Sequence, residues 1–325
     1  MQQVNIIINQ VAAIMIIVVI GYLAGKTGYL PKNTCLFISK VIIRITAPSL
    51  IISTMTSYNF DSKTLTDGLW VSLLAMMFML FSLLEGRLFS KLLKLQGATA
   101  NVFMAHTMLG NVGYMALPLI KAIFGEKAMV LAAFFVLSFE LLNWTVGVYL
   151  LNRHITLTIA GTLKKLINTN TIACIIGLIF ALTNLQHYIS GNAVAAAVYK
   201  IFYSTFSPLG NCTLPLVMLF IGLSTAENPD WRFHDIVKKP VTLMLCILKL
   251  LLTPLISLAV MLLLGDLVDP FVRTIIVLDM AMPCAAITVA LSAEYGSDHQ
   301  LATDNVIYTT ILSLFTLPIF MLLLL

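Results

Sequence analysis

The chain has 325 residues, of which 60% are apolar and only 10% charged, with a formal net charge of +5 and a mean hydropathy of +0.99. A soluble domain carries about 25% charged residues, so this chain has too few to cover a water-facing surface, and a disordered chain is excluded by the same arithmetic. The basic residues are dispersed, which leaves no nucleic-acid footprint, and five cysteines without a C-x-x-C pair suggest neither a zinc site nor a disulfide framework.

In chain order, ten apolar segments reach the roughly 20 residues that cross a bilayer: 5–25, 34–57, 69–90, 99–121, 128–151, 168–185, 203–224, 239–264, 272–293 and 302–325. Runs this continuous predict helices, because in lipid only a helix or a closed barrel satisfies the backbone. The expected fold class is all-α integral membrane with ten transmembrane helices. The first segment follows MQQVN, which carries no Lys or Arg, and reads as a retained span rather than a cleaved leader. The gaps 152–167 and 186–202 read as short polar loops. Loops after odd-numbered segments hold eleven Lys and Arg, and loops after even-numbered segments hold five. The positive-inside rule then places both termini outside the cytoplasm, in a multi-pass protein of the plasma membrane.

The two halves resemble each other. Thr46-Ala47-Pro48 in the second segment matches Thr213-Leu214-Pro215 in the seventh, and IFGEKAMVLAAFF aligns with EYGSDHQLATDNV on Gly125 and Gly296. Ile20-Gly21-Tyr22 matches Ile176-Gly177-Leu178. Residues 1–155 and 165–325 are thus predicted to be two five-helix repeats. An odd number of spans turns the second repeat upside down, a transporter signature that puts a binding site near the midplane.

Prolines punctuate the spans at related places. Pro118 opposes the carbonyl of Tyr114, Pro283 that of Asp279, Pro48 that of Arg44 and Pro215 that of Asn211. Freed carbonyls at membrane depth require protein or a water-filled cavity beside them. At 1.5 Å per residue, Arg44, Asn111, Glu140 and Lys249 lie roughly 15–18 Å into their spans and Asp279 about 10 Å. Glu140, Lys249 and Arg44 read either as a coupling relay or as structural ion pairs, and Arg44 could instead snorkel toward the cytoplasm beside Lys40. Broken fourth and ninth helices would offer half-helix N-termini to an anion. Asn111 would donate to it, and Gly110 and Gly113 would let it approach the backbone.

The strings GNVGYMALPLIKAIFG and AMPCAAITVALSAEYG, with the early GYLAGKTGYL and TAPSL, resemble the auxin efflux carrier family along essentially the whole chain. That family includes plant auxin carriers and bacterial permeases assigned to malate or malonate. The resemblance implies a five-plus-five inverted repeat like the bile-acid symporter fold, with crossing fourth and ninth helices. It implies a scaffold of helices 1, 2, 6 and 7, a transport domain of helices 3–5 and 8–10 moving as an elevator, and a homodimer. Pro118 and Pro283 would mark the crossing, and Asn111 matches the family's substrate-contacting asparagine. Tyr114, Asp279 and Thr288 complete the expected substrate set, and Lys249 falls where many members carry a basic residue. The segment after Pro283, Cys284-Ala285-Ala286-Ile287-Thr288, lacks the asparagine many members have there. The short loops suggest a bacterial inner-membrane protein.

The expected function is transport of a small organic anion, a mono- or dicarboxylate. No G-x-x-x-x-G-K-[ST] run is present, so no nucleotide cofactor is expected. Coupling could use a proton at Glu140 or Asp279, sodium at freed carbonyls, or no ion. A receptor that binds organic anions without moving them stays open. No H-E-x-x-H or D-x-x-x-D pattern supports an intramembrane enzyme.

Overall fold

The structure is a computed structural model that describes residues 2–31, 34–58, 61–152, 169–183, 185–227 and 233–324. These residues are overwhelmingly helical, and the single β-bridge among them joins Gly110 to Cys284. In chain order the helices are α1 (Gln2–Lys26), α2 (34–57), α3 (Ser62–Leu92), α4 (Gly97–Met108), α5 (112–124), α6 (126–151) and α7 (Thr169–Leu182). Then come α8 (Leu185–Ser190), α9 (Ala193–Asn211), α10 (Thr213–Glu227), α11 (240–264), α12 (Pro270–Met280), α13 (Ile287–Glu294) and α14 (His299–Leu323).

Six helices among the described residues are long and apolar enough to cross a membrane: Phe37–Ser57, Ser62–Leu92, Leu117–Leu151, Ala193–Glu227, Pro240–Leu267 and His299–Leu323. Of the other predicted spans, the first corresponds to the 25-residue α1, and the rest correspond to shorter or broken helices. The gap expected at 186–202 as a polar loop is helical instead, in α8 and the first turns of α9. Asn192 caps α9, its Oδ1 accepting from the Val194 and Ala195 amides at 3.0 Å, and the Ala-rich run that follows favours helix. Most of the other expected loop, 152–167, falls outside the described residues.

Aspartates start three of the helices. Asp61 accepts from the Thr64 amide at the head of α3, Asp269 from Phe271 at α12, and Asp298 from Leu301 at α14. Gly125 separates α5 from α6 with φ 83°, and Gly296 separates α13 from α14 with φ 65°. Both take the left-handed conformation that an L side chain resists.

Three prolines share one local device. A π-helical turn precedes each: Ile42–Thr46 before Pro48, Val112–Ala116 before Pro118, and Leu248–Leu252 before Pro254. The residue just before each ring, Ala47, Leu117 or Thr253, closes the turn by bonding to the carbonyl five residues back. The wider turn lets a helix run through a ring that would otherwise meet the carbonyl four residues earlier. At Pro48 a carbonyl of the turn, that of Ile43, takes a bond from the Thr169 hydroxyl at 3.2 Å.

Packing follows apolar patterning. α3 turns a stripe of Leu69, Leu73, Met77, Leu84 and Leu88 outward, at the three- and four-residue steps of one helix face. α6 is apolar all round from Ala128 to Val136 and buried throughout that run. Glycines mark the closest helix contacts. Gly21 and Gly222 bring α1 against α10, Gly177 brings α7 against Met55 of α2, and Gly210 brings α9 against Leu50 of α2.

Candidate functional site: the crossing of two broken helices

α4 ends at Met108, and Leu109 takes an extended conformation. α12 ends at Met280, and α13 begins only at Ile287. The two breaks meet as a short antiparallel pair. The Asn111 amide donates to the Pro283 carbonyl at 2.7 Å, and the Ala285 amide donates to the Leu109 carbonyl at 3.1 Å. Each break thus satisfies the other's backbone, which is what permits irregular chain at membrane depth.

Side chains of the two broken helices are joined here by others from α11 and α14. Asn111 is 6% exposed, and its side-chain amide makes no hydrogen bond to a described residue. Gly113 is buried, yet beyond its chain neighbours and the backbone of its own helix no described atom lies within 4 Å of where a Cβ would stand. Open space therefore lies at Gly113, two residues on from Asn111. Lys249, 1% exposed, donates from Nζ to the Thr107 carbonyl at 3.2 Å. A Cβ at Gly110 would lie 3.4 Å from both Lys249 Nζ and the Asp279 carbonyl, so the glycine sits between them.

A second polar layer clamps the crossing. His106 is fully buried; its Nε2 pairs with the Thr288 hydroxyl and its Nδ1 with the Asn305 amide at 3.2 Å. Because the Asn305 nitrogen can only donate, Nδ1 accepts and Nε2 carries the proton. Thr288 passes its own proton to the Ala285 carbonyl at 2.5 Å. The Thr309 hydroxyl accepts from the Cys284 amide at 3.1 Å and donates to the Asn305 carbonyl at 2.6 Å.

A family model described as "Membrane transport protein" matches residues 6–155 and 153–321. The chain belongs to this family, that of the auxin efflux carriers. An uncharacterized transporter of Methanothermobacter thermautotrophicus is 25% identical over 317 residues, covering 95% of each chain. An uncharacterized transporter of Methanocaldococcus jannaschii is 23% identical over 313 residues, covering 95% of this chain and 96% of that one. This is therefore a multi-pass membrane protein of a transport family.

Within this family member the sequence-derived residues divide. Gly110, Asn111, Gly113, Pro283 and Lys249 meet at the crossing. Pro118 does not: the break falls at Leu109–Asn111, and Pro118 lies beyond the π-turn at the head of α5. Pro118 shapes the helix leaving the crossing, and Pro283 alone of the two sits in it. Tyr114 lies in that π-turn, and its side chain is outside the described residues. Thr288 is 0% exposed with its hydroxyl engaged on both sides, so it positions backbone rather than offering a free group. Asp279 turns its carbonyl toward Gly110, while neither carboxylate oxygen has a described partner. A carboxylate and a carbonyl oxygen both repel an anion, so neither group of Asp279 offers an anion a donor.

The charges expected as one cluster are dispersed. Glu140 accepts from the Trp144 indole at 2.8 Å, one turn along α6, and Lys249 makes no ion pair with it. Arg44 is exposed and lines an open cleft of about 280 Å³ with Pro48, Thr169 and Phe206, away from the crossing. Sequence reasoning missed His106, Asn305 and Thr309, whose single polar atoms in apolar helices carry no periodic signal. It also missed Pro254, whose π-turn holds Lys249, and Asn143, fully buried in a further π-turn with neither amide atom partnered.

Proposed function

We propose that the protein is a secondary transporter that moves a small organic anion, a mono- or dicarboxylate of the auxin or malate and malonate type, by elevator-type alternating access. One observation carries the reading: Asn111, its Oδ1 buried without a described partner, stands at the junction of two broken helices, two residues before the open space at Gly113. The buried Asn111 Oδ1 has no described partner, which is uncommon, and no described residue accepts from Nδ2, so an incoming carboxylate would supply the acceptor for Nδ2. The heads of α5 and α13 each carry about half a positive charge, which favours an anion between them, although the Val112, Thr288 and Val289 amides already bond local carbonyls.

The repeat and the two moving bodies belong to the same proposal. Gly125 and Gly296, aligned by sequence, share the left-handed conformation. Gly21 and Gly177, also aligned, are both close-contact positions: α1 lies on α10 as α7 lies on α2. This exchange of partners is what two inverted five-helix repeats produce. α1, α2, α7, α9 and α10 would form a scaffold, paired with a second copy, and α3–α6 with α11–α14 the moving body. The plasma membrane and outward termini complete the reading.

The test is counterflow of labelled carboxylates into proteoliposomes. Wild type should exchange at least one mono- or dicarboxylate, and Asn111→Ala should lose exchange while keeping its elution profile and Tm. Wild-type exchange in Asn111→Ala sinks the assigned site. Binding without exchange makes the protein a receptor.

A further inference from the structure

The crossing holds four helix termini, and the unpaired Asn111 amide accounts for only one pair of them. α4 and α12 end there, at Met108 and Met280; the Val277, Leu278 and Asp279 carbonyls of α12 accept from the Ala281 and Met282 amides, while no described backbone amide bonds the Thr107 carbonyl of α4. A helix C-terminus carries about half a negative charge, so two of them present close to one full negative charge. Carbonyls of this kind at a broken helix coordinate a transported cation in other membrane folds. In this chain a side chain already stands there. Lys249 Nζ bonds the Thr107 carbonyl of α4 at 3.2 Å. At Gly110 the same ammonium and the Asp279 carbonyl of α12 both lie 3.4 Å from one point.

The support around Lys249 is specific. The lysine rides on the π-turn Leu248–Leu252, which Thr253 closes. Thr253 in turn donates from its hydroxyl to Glu85 of α3 at 2.9 Å, and Glu85 attracts Lys249 electrostatically. The acid therefore fixes the turn and adds to the attraction, without forming an ion pair with the ammonium.

We propose that Lys249 is a tethered cation that permanently fills the carbonyl site between the ends of α4 and α12. It takes the place of a sodium ion, leaves the N-terminal pair of the crossing for the anion, and makes the protein sodium-independent. Removing it vacates a site of one negative charge that a small monovalent cation enters. The inference rests on the anion-transport reading for its meaning, but its test does not.

The test reads ion binding on the purified, substrate-free protein. Wild type, Lys249→Ala and Lys249→Arg are heated in sodium chloride or choline chloride at equal ionic strength. Wild type and Lys249→Arg should give the same Tm in both salts. Lys249→Ala should gain a saturable rise of about 3 °C or more in sodium over choline, since an ion that binds only the folded state stabilises it. A Lys249→Ala protein that elutes intact in sodium and aggregates in choline supports the proposal equally. A folded Lys249→Ala protein indifferent to sodium overturns it, as does a sodium-specific rise in wild type. If Lys249→Ala purifies in neither salt, Lys249→Met is substituted under the same criteria, and the wild-type result decides should that also fail. A chain that carries no carboxylate still answers this experiment, so failure here and failure of the transport reading are separable.

Discussion

The His106 imidazole and the Thr288 hydroxyl are bonded to each other across the crossing, tying the first half of one broken helix to the second half of the other. Among the described residues Thr288 is the only acceptor that His106 Nε2–H has, and Thr288 hands its own proton to the Ala285 carbonyl. Thr288→Val keeps the shape and leaves the imidazole N–H buried and unpaired, a cost of about 1–3 kcal/mol. The variant should unfold several degrees below wild type and exchange anion more slowly, and Thr288→Ser should restore most of both. Thermal unfolding in parallel with counterflow checks this, and an unchanged Tm removes the clamp.

The membrane class and the breaks in the fourth and ninth segments were legible because each is written in composition or in glycine and proline, residues that act on the backbone. Asn111 was legible for the same reason, lying between Gly110 and Gly113. The placement of the charges was not. Depth along a helix says nothing about the direction a side chain faces, so Arg44, Glu140 and Lys249 share a depth and point to three different surroundings. Pro118 was misplaced at the crossing because a π-turn absorbs a proline without breaking the helix, and hydropathy does not distinguish a π-turn from an α-turn. The clamp was invisible because His106, Asn305 and Thr309 become a network only when α4 and α14 lie side by side.

Pro254 carries a consequence for Lys249. The ring sits just after the π-turn that holds the lysine. Pro254→Ala restores an N–H and lets the segment relax toward ordinary α-helix, in which alanine is favoured over proline by about 3 kcal/mol. Closing a π-turn rotates every residue before it relative to those after, so Lys249 would leave the Thr107 carbonyl. The expected result is a Tm at or above that of wild type with exchange reduced about tenfold or more. Loss of stability together with unchanged exchange would refute this role for the ring.

Asp269 gives the protein an acid-sensitive contact outside the spans. Burial alone would raise its carboxyl, but hydrogen bonds from Lys63 and from the Phe271 amide outweigh it and hold the group below the ordinary value of 3.8. A carboxyl lowered in the folded state adds stability above its unfolded value, and that stability is lost as pH falls through the folded value. Asp61, lowered mainly by its bonds from Thr64, acts in the same direction. Tm should therefore fall as pH drops below about 4, and Asp269→Asn should lower Tm at neutral pH, where the carboxylate contributes, and flatten that slope so that the two proteins converge in acid. An equal acid slope in both proteins would show that the contact contributes nothing.

Two glycines separate packing from function. A Cβ on Gly222 would lie 2.1 Å from the Val18 carbonyl and 2.6 Å from the Tyr22 amide, so α1 and α10 cannot keep their distance. Overpacking of this kind costs about 1–3 kcal/mol, and backbone cannot swing aside as a side chain would. Gly222→Ala should lower Tm markedly and reduce the yield of folded protein. Gly113→Ala is the same chemical change at a buried residue with no described atom within 4 Å of its Cβ beyond its chain neighbours and the backbone of its own helix. Its methyl enters the open space at Gly113 without meeting a described side chain. Tm should stay within about 2 °C of wild type, while the apparent affinity for the exchanged anion falls several-fold in counterflow. Were Gly113→Ala to exchange with unchanged affinity, the space at Gly113 would not be where the anion rests.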